Sequence, residues 1–597
     1  METLKTDVLV VGGGTGGTAA AIQSARRGAA TVLVSEFPWL GGMLTSAGVC
    51  APDGNELLAF QTGIWGAFLR ELEERQPGGL DHAWVSFFTY EPAAGAAILA
   101  DWVRSLPNLR WIPGRHPLEV LRRGDRITGV RFADFTVEAT ITLDGTELGD
   151  LLALGEVPYR WGWEWQAEYG EPSAPVAPSE LTQRYPVQSP TWVVMLQDFG
   201  EGAIAPEIPA PPLDQPEQFE GCWEGYGSEH FLNYGRLPDN RFMLNWPQKG
   251  NDYGVNLERL VQSDEDRHEF CQEARWHSQS FARFLQTHLG QRYGLAQGTF
   301  PELTGALGGG AFALHPYFRE SRRLVGRRVV REQDILPIPG GRVAPLPLDD
   351  EGRVESIAIG NYPNDHHYPG MSLPLHPKSI RWGGRWTGTP FCIPYRALVP
   401  AAVEGLLVCE KNISVSHMAN GATRLQPLVL GIGQAAGMAA ALCIERGCQP
   451  HELAPLAIQQ ALLRDPIAPA AVVPLFNEVP LHLKWERFQQ FYLENPEYYP
   501  DDGNSPADAV IDNRIFTEAV TKFTGILQKQ DQQNYILEIE KVPDRNDGTI
   551  ALVTLDPGVE QLLAHTPDKS SVVVYGYRNF SGNWIRALAV KVLTLSS

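Results

Sequence analysis

Val8-Leu-Val-Val11 runs directly into Gly12-Gly-Gly14-Thr-Gly-Gly17; an alanine-rich stretch follows from Thr18 to Arg27, and a second apolar run, Ala30 to Val34, ends at Glu36. The order reads as strand, glycine turn, helix, strand, acid. Each residue type answers a need of a bound dinucleotide. Gly12 permits the tight turn, Gly14 lets the backbone approach a pyrophosphate, and Gly17 lets the helix pack close to the strand. Thr15 and Gly16 open the helix, whose unpaired N–H groups and dipole favour negative charge. Glu36 follows Gly17 by about 20 residues, the separation of an acid that accepts from a ribose hydroxyl. The glycine spacing alone also serves plain turns, so the flanking strand, helix and acid carry the weight. The motif does not separate NAD from FAD.

A glycine pair comes soon after the acid, in Trp39-Leu-Gly41-Gly42-Met43-Leu-Thr45-Ser46. Gly41 and Gly42 admit a ligand against the backbone without a Cβ clash. With the hydroxyl that follows they suit the phosphate and ribityl chain of a flavin; the bland alternative is a loop turn. Asp144-Gly-Thr146-Glu-Leu-Gly-Asp150 ends a later strand in a similar glycine- and hydroxyl-bearing turn.

The 597 residues allow several domains and a substantial core, and 43% apolar with 20% charged residues fits a globular chain. The net charge of −21 disfavours nucleic acid as the main partner, because phosphate binding needs a basic surface. The seven cysteines are scattered without a CxxC, so neither a disulfide framework, a zinc site nor a dithiol–flavin reductase is expected. With the first strand starting by Asp7, no signal peptide is expected, and a cytoplasmic location follows. The charge-free run Leu425 to Ile444 is long enough to span a membrane. Its glutamines, proline and glycines instead suggest a buried helix that approaches something closely, so no membrane span is expected.

Helical spacing of Trp65, Phe68, Leu69 and Leu72 predicts helices over much of 56–106, and residues 109–143 alternate like paired strands. Residues 158–390 are rich in tryptophan, tyrosine, proline and glycine, with a helical part near Leu257 to Leu289. Strand–loop–helix character returns at 391–447. The expected fold is α/β: a discontinuous Rossmann-like FAD-binding domain (1–157 plus 391–447), an inserted mixed α+β substrate or cap domain (158–390), a mostly helical connector (448–533) and a small β-rich C-terminal module (534–597).

Several ordered blocks resemble the FAD-dependent oxidoreductases with a glutathione-reductase-type fold. They are VVGGGTGG at 10–17, LGGM at 40–43, DGTELGDLLALGEVPY at 144–159, YFRESRRLVG at 317–326, AIGNYPNDHH at 358–367, FCIPYRALVP at 391–400 and NISVSHMANGATRLQPLVLGIGQAAGMAAAL at 412–442. The resemblance implies that Gly12, Gly14, Gly17 and Glu36 hold the ADP part of FAD and that Gly41, Gly42, Met43, Thr146 and Asp150 lie along the cofactor. It places Gln426, Gly431 and Gly433 at a helix start near the flavin. The family usually shows Ala-Gly-Arg before Asn412. This chain has Cys409-Glu410-Lys411, so a glycine suited to close backbone contact is missing at 410.

Flavin itself carries hydride and electrons, and the protein supplies position, polarisation and proton handling. Arg319, Arg322 and Arg323 sit in a helix-like block with Glu320, and Arg319 is a candidate carboxylate anchor because guanidinium binds bidentately. The structural alternative is a salt-bridged helix. Asp365-His366-His367 follows a Gly-Asn-Tyr-Pro loop, which makes His367 the candidate proton handler. Tandem histidines also bind metals, but no carboxylate motif with metal spacing accompanies them, and no metal is expected. His417 and Arg424 precede the flavin helix and are candidates to touch flavin or substrate. The expected function is FAD-dependent oxidation or reduction of a small organic substrate by hydride transfer to or from flavin, with the electron acceptor open. The alternative is a flavin-bearing electron-transfer or scaffold protein whose C-terminal module docks a protein partner.

Overall fold

The β-branched run that precedes the glycine turn forms the end of a strand, β1 (Glu2–Val11), whose last four residues are buried and whose polar start is wetted. This computed structural model describes residues 2–507, 520–531, 533–539 and 548–593. The glycine turn leads into α1 (Thr15–Arg26), and then come β2 (Thr31–Ser35), β3 (Leu109–Pro113), β4 (Glu119–Arg123), β5 (Arg126–Arg131) and β6 (Phe135–Asp144). They form a sheet in the order β3-β2-β1-β6-β5-β4, with strand Leu406–Val408 also pairing β6. The β1–β2, β2–β3, β1–β6 and Leu406–Val408–β6 pairs are parallel, whereas β4–β5 and β5–β6 are antiparallel. The result is the mixed α/β fold with a parallel sheet that the opening motif predicts. The ends of β1, β2, β6 and Leu406–Val408 meet above the N-terminus of α1, as expected for a ligand crevice at the carboxyl ends of parallel strands.

The long apolar helix Gln426–Arg446 lies in the core, beside α1. A Cβ on Gly433 would stand 2.1 Å from the Gly16 carbonyl oxygen, and one on Gly437 would stand 2.2 Å from that of Ala20. The small residues therefore serve a close helix crossing.

Residues over the crevice include an antiparallel sheet ordered Tyr293–Leu295, Val194–Asp198, Arg241–Leu244 and the helix Asp264–Leu289. Ser263 caps that helix by accepting from the Asp266 N–H. The block 319–326 is not helical. It runs extended into the short strand Arg323–Leu324, because its charged side chains pair inside the protein in several directions.

The connector is not mostly helical either. Among its described residues, which leave out 508–519 and 532, the α-helices Pro455–Leu463 and Trp485–Glu494 are short, and prolines at 466, 469, 474, 480, 496, 500 and 506 deny the backbone the N–H groups a longer helix needs. The β-rich module begins earlier than residue 534, since Thr521–Asp531 is one of its strands. That strand closes a barrel with Asn534–Ile539, Thr549–Val553, Trp584–Val592 and Ser571–Asn579. The barrel has its own core of Leu527, Leu537, Leu552, Val572 and Ile585. It docks on the body where Thr554 N–H donates to the Gly383 carbonyl, Asn579 donates to that of Ala83, and Trp584 packs on Phe87.

Candidate cofactor cradle and active-site cleft

At the glycine turn, Gly12 has a φ of +104°, and a Cβ there would lie 2.1 Å from the Gly145 carbonyl oxygen. Gly17 would meet the Gly12 oxygen at the same distance. These glycines close the β1–α1–β6 junction. Loop 40–46 is tied to it: the Thr15 hydroxyl donates to the Gly41 carbonyl at 2.8 Å, and Gly41 N–H donates to that of Gly13 at 2.9 Å. A Cβ on Gly42 would fall 2.7 Å from Gly14 Cα, so both backbones face one narrow space. Met43 is fully buried behind it.

Glu36 ends β2 with its side chain in solvent. The protein mass around it and the Asp150 charge push its carboxyl up to about 7 against the pull of Arg267, and water screens that shift. Thr146 donates to Asp144 at 2.6 Å and accepts from the Asp150 N–H at 2.7 Å. Asp150 is neutralised by Arg267 at 2.8 Å and Arg322 at 3.1 Å. Arg267, from helix Asp264–Leu289, escaped the sequence reading because nothing in its own segment points to the nucleotide side. The close backbones, the helix start and the acid at the β2 end fit the ADP half of a dinucleotide. One group departs from that pattern: Glu410, fully buried, accepts from the Gly16 N–H at 2.6 Å.

The late glycines, expected near the flavin end, stand apart from this ADP-side space. Gly433 packs on α1, and a Cβ on Gly431 would reach only Ala358. Gln426 opens the Gln426–Arg446 helix with its Oε1 buried and without a hydrogen-bond partner.

A second cluster is built on the loop 362–367, all of it half-buried, which lies on the helix His417–Thr423. Gly421 is needed there, since a Cβ would stand 2.3 Å from Asn364 and 2.5 Å from His366. His367 is held between two carboxylates, Nδ1 to Asp252 at 2.7 Å and Nε2 to Asp365 at 2.9 Å. Burial opposes ionisation of both acids. Arg319 and His367 prevail at Asp252, which lies at about 2, and His367, Arg424 and Arg319 hold Asp365 far below the usual range. Arg424 donates to Asp365 at 3.0 Å and also to the Tyr317 hydroxyl.

Arg319 is 1% exposed and is spent on Asp252, the Ser189 carbonyl and Asn245, so it is not free to anchor a substrate carboxylate. His417 is likewise buried, with Nδ1 on Glu320 at 2.8 Å and Nε2 on the Tyr368 hydroxyl at 2.6 Å. The buried thiols Cys50 and Cys392 are pushed up by burial, Cys392 to about 12, and stay protonated at neutral pH.

Other half-buried polar groups around this loop are ones the sequence reading missed or ranked lower. The Asp365 side chain is 40% exposed. Asp53, Tyr234 and Tyr362 are half-buried, and the electrostatic fields of Asp53, Asp365 and Arg424 reach Tyr362 together. Burial and the Glu56 charge raise Asp53 well above the usual carboxylate range. Behind the loop, Lys378 is buried without a carboxylate, donates to the Tyr362 and Thr389 carbonyls, and is lowered by burial to about 7. Ala51-Pro-Asp53-Gly reads locally as a turn, so only proximity to the loop at 362 marks Asp53 as part of a site.

Solved structures at low identity include p-nitrophenol 4-monooxygenase from Pseudomonas putida, 12% identical over 33% of this chain and 49% of that one, with a TM-score of 0.21. A geranylgeranyl bacteriochlorophyll reductase-like protein from Thermoplasma acidophilum is 10% identical over 77% of this chain and 82% of that one, with a TM-score of 0.30. L-proline dehydrogenase from P. horikoshii is 12% identical over 34% of this chain and 63% of that one, with a TM-score of 0.23. This chain thus spans about half the length of the monooxygenase, and scores this low carry nothing about substrate. The family model described as FAD dependent oxidoreductase matches residues 7–462, most of the sequence, and the crevice those residues build fits that cofactor. The chain belongs to the FAD dependent oxidoreductase family, whose cofactor is FAD.

Proposed function

We propose that the cleft walled by Asp53, Tyr234, Tyr362 and Asp365 receives a small polar organic substrate carrying a hydroxyl or amine beside the bond to be oxidised or reduced. The observation that carries this reading is part-exposed Asp365, held by His367 at 2.9 Å and Arg424 at 3.0 Å, within electrostatic reach of a second carboxylate, half-buried Asp53. Such a pair assigns one group to charge and the other to proton traffic. Asp365, kept ionised by His367 and Arg424, accepts a hydrogen bond from the substrate and fixes its orientation. Asp53, raised by burial and Glu56, gives or takes the proton. His367 and Arg424 act through Asp365 as positioning residues, and Arg319 acts through Asp252.

FAD, when bound, supplies hydride transfer to or from the substrate. Gly12, Gly14, Thr15, Gly16, Gly17 and Glu36 would hold its ADP half, and Gly41, Gly42 and Thr146 would line its path. Within this proposal residues 1–157 and 391–447 serve the cofactor and 158–390 cover the substrate.

The test is anaerobic bleaching of the bound flavin across a panel of hydroxy and amino compounds, with matched carboxylates lacking both groups. Bleaching by the hydroxy or amino members alone supports the proposal. Equal response to the matched compounds would sink it.

A further inference from the structure

The Glu410 carboxylate has no counterpart in the chemistry of the cleft, and it stands where a dinucleotide needs an open donor. Its Oε2 takes the Gly16 N–H at 2.6 Å in the first turn of α1 and would be 2.8 Å from a Cβ on Gly14. These are the residues at which the glycine turn presents N–H groups to a pyrophosphate. The other Glu410 oxygen meets Lys411 Nζ at 3.1 Å, and Lys411 also holds Glu147 at 2.5 Å. Glu147 Oε1 has no hydrogen-bond partner and would lie 2.6 Å from a Cβ on Gly42, on the other wall of the same space. Two carboxylates and one ammonium thus leave a net negative charge at the place a diphosphate, itself doubly negative, must enter.

We propose that Glu410 is an internal competitor of the FAD diphosphate for the N-terminus of α1, and that it takes up a proton from solvent when FAD binds. The proposal rests on FAD as the cofactor. Geometry supplies the competition, and two like charges cannot share one buried donor without neutralisation of one. The charged groups facing Glu410 are Lys411 and Glu147, with Asp144 behind Cys409 and His315 beyond Glu147. Burial raises Glu410 to about 7, Lys411 opposes the rise and Glu147 adds to it. Binding above that pH therefore requires a proton, whereas below it the carboxyl is already neutral. Glu36 and Asp144 are also raised to about 7 and contribute their own dependence, so the decisive quantity is the difference made by Glu410 alone.

The experiment is calorimetric titration of the full-length apoprotein with FAD from pH 6 to 9, in buffers of different ionisation enthalpy, for wild type, Glu410→Gln and Glu410→Ala. Wild type should take up about one more proton at pH 8 than Glu410→Gln, and its Kd should rise by up to about tenfold per pH unit more steeply. Glu410→Gln should bind FAD at least about tenfold more tightly than wild type at pH 8.5, with the two converging at pH 6. Equal proton uptake and equal slopes would overturn the role of Glu410 and leave FAD binding intact. Failure of wild type and variants to bind FAD even at pH 6 would overturn it together with the cofactor assignment. If Glu410→Gln does not fold, Glu410→Ala gives the same comparison, and a wild-type proton uptake of zero at pH 8 overturns the proposal without any variant.

Discussion

At the scale of single residues, the cleft and the cradle both depend on carboxylates whose charge is set by what faces them. Asp365 makes two charged contacts while keeping part of its surface in solvent. Replacing it with Asn would leave Arg424 buried without its carboxylate partner, take from His367 one of its two carboxylates and, under the proposed function, remove the charged acceptor of the substrate. With FAD retained, kcat/KM for a substrate identified by bleaching should fall by about 100-fold, on the scale of losing one preorganised polar contact. Unchanged turnover with full flavin content would remove Asp365 from the site.

Asp252 yields a pH prediction. Its folded value near 2 lies below the unfolded value of about 4, so its stabilisation is complete above pH 4 and is lost as pH falls towards 2. Asp252→Asn should cost about 3 kcal/mol at pH 7, because it strands buried Arg319. Urea midpoints of wild type and variant should converge between pH 4 and 2, and a constant gap down to pH 2 would contradict the pairing.

At the scale of elements, the crossing of α1 with helix Gln426–Arg446 decides whether the cradle holds its shape. The helix is hydrophobic almost all round because it is buried. Its approach to α1 leaves no room for a Cβ at 433 or 437. Gly437→Ala should cost about 1–3 kcal/mol through overpacking, seen as a lower thermal midpoint. Gly433→Val forces atoms against Gly16 itself, so it should also weaken FAD binding. Loss of stability with undiminished FAD affinity would show that the crossing and the cradle are independent.

At the scale of the whole molecule, the C-terminal barrel closes over its own core yet shares a face with the body. Trp584 packs on Phe87, whose ring is 1% exposed, and Asn579 donates into the 81–83 loop. That loop leads to Trp84, which stacks on His230 and meets Tyr234 edge-on. Trp584→Ala should cost about 3–5 kcal/mol of barrel docking, detected as faster proteolytic release of the tail. A release rate equal to wild type would mean that the face contributes little to docking. These contacts make the barrel a structural support of the body at the 81–87 segment.

The glycine turn was legible in the chain itself, because Gly12 and Gly17 act through local backbone geometry that neighbouring residues impose. The strands β3–β6 followed from alternating apolar residues, and the buried character of the 426–446 helix from its charge-free, glycine- and glutamine-bearing composition. Arg319 and His417 could not be judged that way. Their residue types suit catalysis, but their availability depends on Asp252 and Glu320, which reach them from distant or differently folded segments. Asp53, Asp365 and Glu410 gain their properties only where separate loops converge, since burial and neighbouring charge set proton affinity. The sequence by itself thus determined a parallel α/β fold and a dinucleotide turn. Only the tertiary structure decided which charged groups are spent on one another, which stay half-buried around the loop 362–367, and that the Glu410 carboxylate accepts from the Gly16 N–H, because these pairings join segments far apart in the chain.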